Sequence, residues 1–247
     1  MSTPIYFLPG MLCDDRLWRP VWTLLKQVVP QDAWHGRFCL FDDAANETIA
    51  DFAQTVVALA AGKPGIVAGF SLGGHVAFEL YRQAPELVAG LVLCNTSAGL
   101  DTPERRRERE AFLSTSETLG QFKGVTKSDW SRYVSPQNAN NKAMLSLVQS
   151  MAGEVGISGA KRQARALLNR QESLTTLAAM AVNRLPLCMC AGVDDQITPM
   201  AQTEQMAKAA DLPVSSIVRL SSGHMGPLEA PQAVAMTMAK LLASSAT

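Results

Sequence analysis

Residues Gly69-Phe70-Ser71-Leu72-Gly73-Gly74 decide how the chain is read. The hexapeptide fits the pattern G-x-S-x-G. An apolar stretch, 65–69, runs into it, and a stretch with helical spacing, 73–83, leaves it and stops before Pro85. A serine on a tight turn between strand and helix has its Oγ exposed for attack. Glycines two residues to either side relieve the crowding that such a turn creates. The helix that follows aims its first N–H groups at the site, where they favour developing negative charge. A glycine-rich turn that merely ends a strand is the alternative, and the strand and helix on either side argue against it.

Working outward, the first hundred residues alternate strand and helix. Strands are predicted over 5–8, 37–41, 65–69 and 89–93. A helix over 17–29 follows from Leu17, Val21, Leu24, Leu25 and Val28, and another over 49–61 has Thr48 or Asn46 as its cap. This rhythm indicates βαβ units and a largely parallel sheet. The strands are apolar throughout, as expected when helices cover both faces. From 101 to 183 no strand is predicted, only helices over 104–121, 142–151, 161–169 and 174–182. Strands at 185–191 and 217–220 and helices at 200–209 and 232–242 resume the pattern. The expected organisation is a three-layer α/β core domain, 1–100 and 184–247, interrupted by a helical cap, 101–183. Long excursions of this kind usually serve function.

Composition narrows the classes. The 247 residues are enough for one large domain and a substantial core. Lys plus Arg equals Asp plus Glu, so the net charge is zero and no nucleic-acid partner is expected. Arg105-Arg106-Arg107, inside an alternating Glu/Arg run, reads as a solvated helix face with ion pairs. No apolar run approaches the ~18 residues that span a bilayer, so no membrane partner is expected. No basic segment precedes the first apolar stretch, so no export signal is expected. The five cysteines are odd in number and scattered, which suits reduced thiols in the cytoplasm. Cys188 and Cys190 share one face of a strand, which favours core packing over metal binding.

A serine hydroxyl needs a base, and the chain offers three histidines. His35 precedes a strand with no reason to face the turn. The spacing of His75, four residues after Ser71, suggests packing or a helix face. His224 follows the last predicted strand, at the sheet edge where ligand sites of open α/β folds form, and is the favoured base. The imidazole needs a carboxylate, and Gly192-Val193-Asp194-Asp195 follows another strand. Either aspartate can serve.

On these residues the chain resembles the α/β-hydrolase family, in particular its capped bacterial esterase- and lactonase-like members. Gly192-Val193-Asp194-Asp195-Gln196-Ile197-Thr198-Pro199 is similar to the family's acid loop, which implies Asp195 as the triad acid. Gly223-His224-Met225-Gly226-Pro227-Leu228-Glu229 resembles its histidine loop. Leu8-Pro9-Gly10-Met11 resembles its oxyanion loop, which implies the backbone N–H groups of Met11 and Leu72 as the hole. The chain has Pro9 where many relatives carry histidine, which leaves the hydrogen bonds supporting that loop open. It begins at the family's third strand, so a sheet of about six strands is expected. Serine at 71 excludes the aspartate-dependent haloalkane dehalogenases and epoxide hydrolases. The last part of the cap, 165–185, resembles bacterial members of undefined substrate.

The resemblance implies a hydrolase with the triad Ser71, Asp195 and His224, acting on a small or medium carboxylic ester, lactone or enol-lactone. No cofactor and no metal are expected, and the molecule is expected to be a monomer or homodimer. Phe70, Trp130 and Tyr133, with Met144, Met151 and Met180, are candidates for an apolar pocket under the cap, against plain core packing. Thioester, amide or carbon–carbon cleavage on the same residues, or ligand reception without catalysis, are the alternatives.

Overall fold

The computed structural model describes residues 2–119 and 124–244. Six strands form one parallel sheet in the order β2-β1-β3-β4-β5-β6. They are β1 (Thr3–Leu8), β2 (Trp34–Phe38), β3 (Gly65–Phe70), β4 (Val88–Cys94), β5 (Leu187–Gly192) and β6 (Val218–Leu220). Successive side chains of a strand point to opposite faces, and each face has its own helices. Tyr6, Val67, Leu91 and Met189 pack against α2 (Ile49–Ala60), α3 (Leu72–Gln83) and α7 (Met200–Ala209). Phe7, Ala68, Val92 and Cys190 pack against α1 (Arg19–Val28) and α9 (Pro231–Ser244). Cys188 and Cys190 thus share one face, and all five cysteines are free thiols.

Local chemistry sets the element ends. Thr48 caps α2: its hydroxyl accepts from Asp51 N at 3.1 Å, and the Asp51 carboxylate accepts from Thr48 N at 2.9 Å. This reciprocal box satisfies donors that a helix start leaves orphaned. Asn46 is not the cap; its amide donates to Thr55 Oγ1.

Two sequence expectations are corrected. The second strand is expected over 37–41, yet β2 runs Trp34–Phe38. The chain leaves the sheet so that Phe41 can stack on Phe52 of α2, with ring centroids 4.9 Å apart. Its apolar residues therefore mark a second packing site, not strand. The helices expected over 142–151 and 161–169 are both present and longer, 142–155 and 157–168; they are named together α5 (Lys142–Leu168) and are separated at Gly156, where φ is 66° and ψ is 175°. Finally, α6 (Leu174–Val182), expected in the cap, belongs to the layer covering the sheet. Leu177 and Met180 join the cluster that holds Leu80 and Met206. Arg82 of α3 donates to Ser173 Oγ at 3.0 Å and Thr176 Oγ1 at 2.8 Å, and Asn183 donates to Tyr81 Oη at 2.7 Å.

The excursion beyond the layer therefore holds α4 (Pro103–Leu119) and α5. The remainder of the helix expected over 104–121, residues 120 and 121, lies outside the described residues. Among the described residues no helix is long and apolar enough to cross a membrane.

Candidate active site

Because all six strands are parallel, their C-terminal ends share one edge of the sheet, and the loops there converge. Ser71 follows β3 with φ 50° and ψ −111°, a conformation that an L-residue adopts only under constraint. The constraint is visible. Ser71 N donates to Cys94 O at 3.1 Å, and Ser71 O accepts from Gly74 N at 3.0 Å and Thr96 Oγ1 at 2.7 Å. The turn also demands glycine: a Cβ at Gly73 would lie 2.3 Å from Leu8 O, and one at Gly69 would lie 2.6 Å from Gly73 O.

His224 follows β6 and is buried. Its Nε2 lies 3.1 Å from Ser71 Oγ, and its Nδ1 lies 3.0 Å and 3.2 Å from the two carboxylate oxygens of Asp195. An ionised carboxylate can only accept. Nδ1 therefore carries the hydrogen, and Nε2 is left to accept from the serine hydroxyl. Asp195 Oδ1 accepts from Ile197 N and Thr198 N, and Oδ2 accepts from Asn95 Nδ2 at 2.9 Å and Thr198 Oγ1 at 2.7 Å. Burial pushes the Asp195 pKa up, but His224 beside it and the donors Asn95 and Thr198 outweigh this and hold it at about 2. Asp194 is exposed, and among the described residues its carboxylate has no such partner. Asn95 also donates to Gly223 O at 3.1 Å, tying the acid loop to the histidine loop. Sequence reasoning missed Asn95 and Thr198. Asn95 comes directly after the apolar run of β4, at the same strand edge, and that position was the available signal.

The loop after β1 brings Met11 to the cavity beside Leu72. Among the described residues neither backbone N–H has an acceptor in turns, loops or caps. The Pro9-Gly10 loop is supported in its own way. Gly10 O accepts from Cys13 N, Leu8 O accepts from the Trp18 indole at 3.1 Å, and Leu12 N donates to Gln163 Oε1 of α5 at 2.9 Å. Cys13 also borders the cavity, but burial and then Asp14 push its thiol up to about 12, which keeps it protonated.

The cavity, about 300 Å³, lies between this edge and the excursion. Phe70 and Tyr133 line it, and their rings sit 5.1 Å and 6.3 Å from the His224 ring. Trp130 does not reach it, which corrects the expectation for that residue. It is buried beside Met151 in the core, its indole donating to Asn138 O at 3.1 Å. Met144, Met151 and Met180 likewise pack in the core clusters rather than in the wall. The expected apolar lining is also corrected, because α4 contributes charge. Arg106 and Arg107 pair along the helix surface as expected, while Arg105, Glu108 and Arg109 border the cavity.

His35 and His75 stand apart from this hydrogen-bonded path. His35 Nδ1 meets Ser2 Oγ at 2.9 Å, away from the cavity, whereas His75 borders it. Among the described residues no group of three or more His, Cys, Asp or Glu is placed to hold a metal ion.

An imidazole between a hydroxyl and a buried carboxylate can take the hydroxyl proton and return it to a leaving group. The parallel sheet with helices on both faces defines a three-layer α/β protein, and the strained serine turn and this path lie together at one edge of its sheet. The chain belongs to the alpha/beta hydrolase family, whose model matches residues 5–237. No curated protein sequence matches it significantly. Among solved structures, a malate-bound thermophilic esterase from Thermogutta terrifontis is similar at 22% identity, with TM-score 0.82, covering 100% of this chain and 92% of that one. The enol-lactonase from Burkholderia xenovorans LB400 is 18% identical with TM-score 0.81, over 98% and 92% of the two chains. A hydrolase from Pseudomonas aeruginosa PA01 is 21% identical with TM-score 0.74, over 98% and 90%. At these identities the likeness is one of fold.

Proposed function

We propose that the chain is a serine hydrolase that cleaves a small or medium carboxylic ester, lactones included, through an acyl-enzyme on Ser71. The observation that carries this reading is the unbroken path Asp195–His224–Ser71, ending at the cavity. His224 Nε2 takes the Ser71 proton as Oγ bonds to the ester carbonyl carbon. The oxyanion receives the N–H groups of Met11 and Leu72, each worth about 3–4 kcal/mol of barrier in comparable sites. His224 then gives its proton to the departing alcohol as the C–O bond breaks. Water, losing a proton to His224, attacks the acyl-enzyme and releases the acid. An esterase and an enol-lactonase share the fold, so ester and lactone opening are chemistries it supports. The excursion of α4 and α5 serves as the cap over the site, and five free thiols suit the cytoplasm.

A fluorophosphonate probe tests the nucleophile. Native protein is expected to be labelled, and Ser71→Ala is expected to lose both the label and at least ~10³-fold in turnover of an activated ester. Labelling that persists in Ser71→Ala removes Ser71 from the role.

A further inference from the structure

One end of the cavity wall carries charge that the reaction above does not use. Asp101, Arg109 and Arg170 border the cavity there. Asp101 Oδ2 accepts from Arg109 Nε at 2.8 Å, and Oδ1 accepts from Arg170 Nη2 at 3.0 Å. The side chains of Arg109, Arg170 and Asp101 keep only 14%, 4% and 9% of their exposure, so all three are largely desolvated. Two cations share one carboxylate. The nearby Glu108 does not supply the missing charge, because it pairs with Arg105 and Arg132. Glu104 pairs with Arg107. An uncompensated charge in a dry wall is costly unless something pairs with it.

The two arginines differ in what they have left to give. Arg170 donates to Leu167 O at 2.6 Å and Gly99 O at 3.0 Å as well as to Asp101, so both its Nη groups are engaged and only its buried Nε has no partner among the described residues. Arg109 turns only Nε to Asp101. Its Nη1 meets nothing better than Met11 Sδ at 3.7 Å, and its Nη2 donates to no described residue. The open edge of its guanidinium therefore lies next to Met11, the proposed oxyanion donor. His75 borders the same cavity, and its Nδ1 is buried with no partner among the described residues. Burial and then the charges of Arg170 and Arg109 hold its pKa well below the ordinary value, so the ring is neutral and has one N–H to donate. It stands in the first turn of α3, four positions after Ser71, about 6 Å along the helix axis.

We propose that Arg109, with His75 as a second donor, forms a carboxylate-binding subsite, and that the substrate is an ester or lactone carrying a free carboxylate a few carbons from the scissile carbonyl. A carboxylate would accept both Nη groups side by side, the geometry for which a guanidinium is suited. It would also neutralise the wall. The hydrolysis is the step already described, and the second carboxylate takes no part in bond making. The reaction rests on the serine-hydrolase reading; the binding does not.

The test pairs monomethyl succinate, glutarate and adipate with their neutral monoamide counterparts, and uses free glutarate as a binding probe. Native protein is expected to favour at least one acidic ester by about tenfold or more in kcat/KM, with Arg109→Gln bringing that ratio close to one and Arg109→Lys keeping part of it. Glutarate is expected to raise the Tm of native protein and to slow its labelling by fluorophosphonate. A ratio near one in labelled, active protein, with no glutarate shift, overturns the subsite and leaves the hydrolase standing. Absence of labelling and of all turnover overturns the hydrolase instead. The Tm shift then decides the subsite alone: present in native protein, it supports the proposal, and absent, it sinks it. Arg109→Lys covers the case in which Arg109→Gln fails to fold.

Discussion

Asp195 places its carboxylate against His224, whereas Asp194 turns to solvent and offers only its backbone N–H, to Ser222 O. The difference predicts that Asp195→Asn lowers kcat by about 10⁴-fold, as loss of the tautomer-holding acid does elsewhere. Asp194→Asn is expected to stay within a few-fold, and ester kinetics on the two variants separate them. The reverse ranking would move the acid by one residue. Asp195 also links the site to stability. Its pKa falls from an ordinary 3.8 to about 2 on folding. A depressed carboxylate pKa stabilises the fold above the unfolded value and loses that contribution as pH falls through the folded one. The window is therefore pH 4 down to 2, and the contribution is about 2 kcal/mol. Urea midpoints of native protein and Asp195→Asn, compared at pH 5 and pH 2, are expected to show a smaller acid loss in the variant. Equal losses would mean that the carboxylate is not held as described.

At the scale of the element, the histidine loop is clamped to the excursion by one residue. Glu229 ends α8 (Gly226–Glu229) and accepts from Gly223 N at 2.9 Å with one oxygen. With the other it accepts from Ser135 N at 2.8 Å and Asn138 Nδ2 at 3.0 Å. Met225 N adds a bond to Tyr133 O at 3.1 Å. Glu229 thus sets where His224 stands without touching substrate. Displacing a reacting group by about 1 Å can cost on the order of 10²-fold. Glu229→Ala is accordingly expected to lower kcat by roughly 10–100-fold with the fold intact by circular dichroism, and Glu229→Gln to recover part of it. An unchanged kcat would show that the loop holds its shape without the clamp. Sequence reading found the loop and not the clamp, because Ser135 and Asn138, which Glu229 holds to it, lie about 90 residues away, in a segment with no pattern to announce them.

For the whole molecule the question is where the core ends and the cap begins. Helical periodicity located α6 over 174–182 but said nothing about which body it joins. An amphipathic helix shows that it buries a face, not against what. Leu177, fully buried among α3 and α7, answers this. Leu177→Ala is expected to destabilise the protein by about 2–5 kcal/mol, as truncation in a packed core does. It should lower the urea midpoint while leaving KM near native. A variant of native stability with an altered KM would return α6 to the cap.

The sequence by itself determined the elements that local chemistry and periodicity write down. These are the parallel α/β rhythm, the serine turn with its two obligatory glycines, and the order serine, aspartate, histidine along the chain. The rhythm and the turn depend on residues within one strand or one turn of each other, and the order on where each residue falls at the end of a strand. The choice of Asp195 over Asp194 follows from family resemblance, and in the structure Asp195 accepts from Asn95 and Thr198 beside His224. Tertiary structure alone decided what depends on neighbours distant in sequence. It moved Trp130 into the core, carried α6 into the sheet layer, and turned Arg109 out of an apparently solvated run onto Asp101. A charge run on a helix has the same pattern whether one of its arginines meets water or a buried carboxylate. Only the packing of α4 over the sheet edge removes the water and makes that arginine part of the cavity.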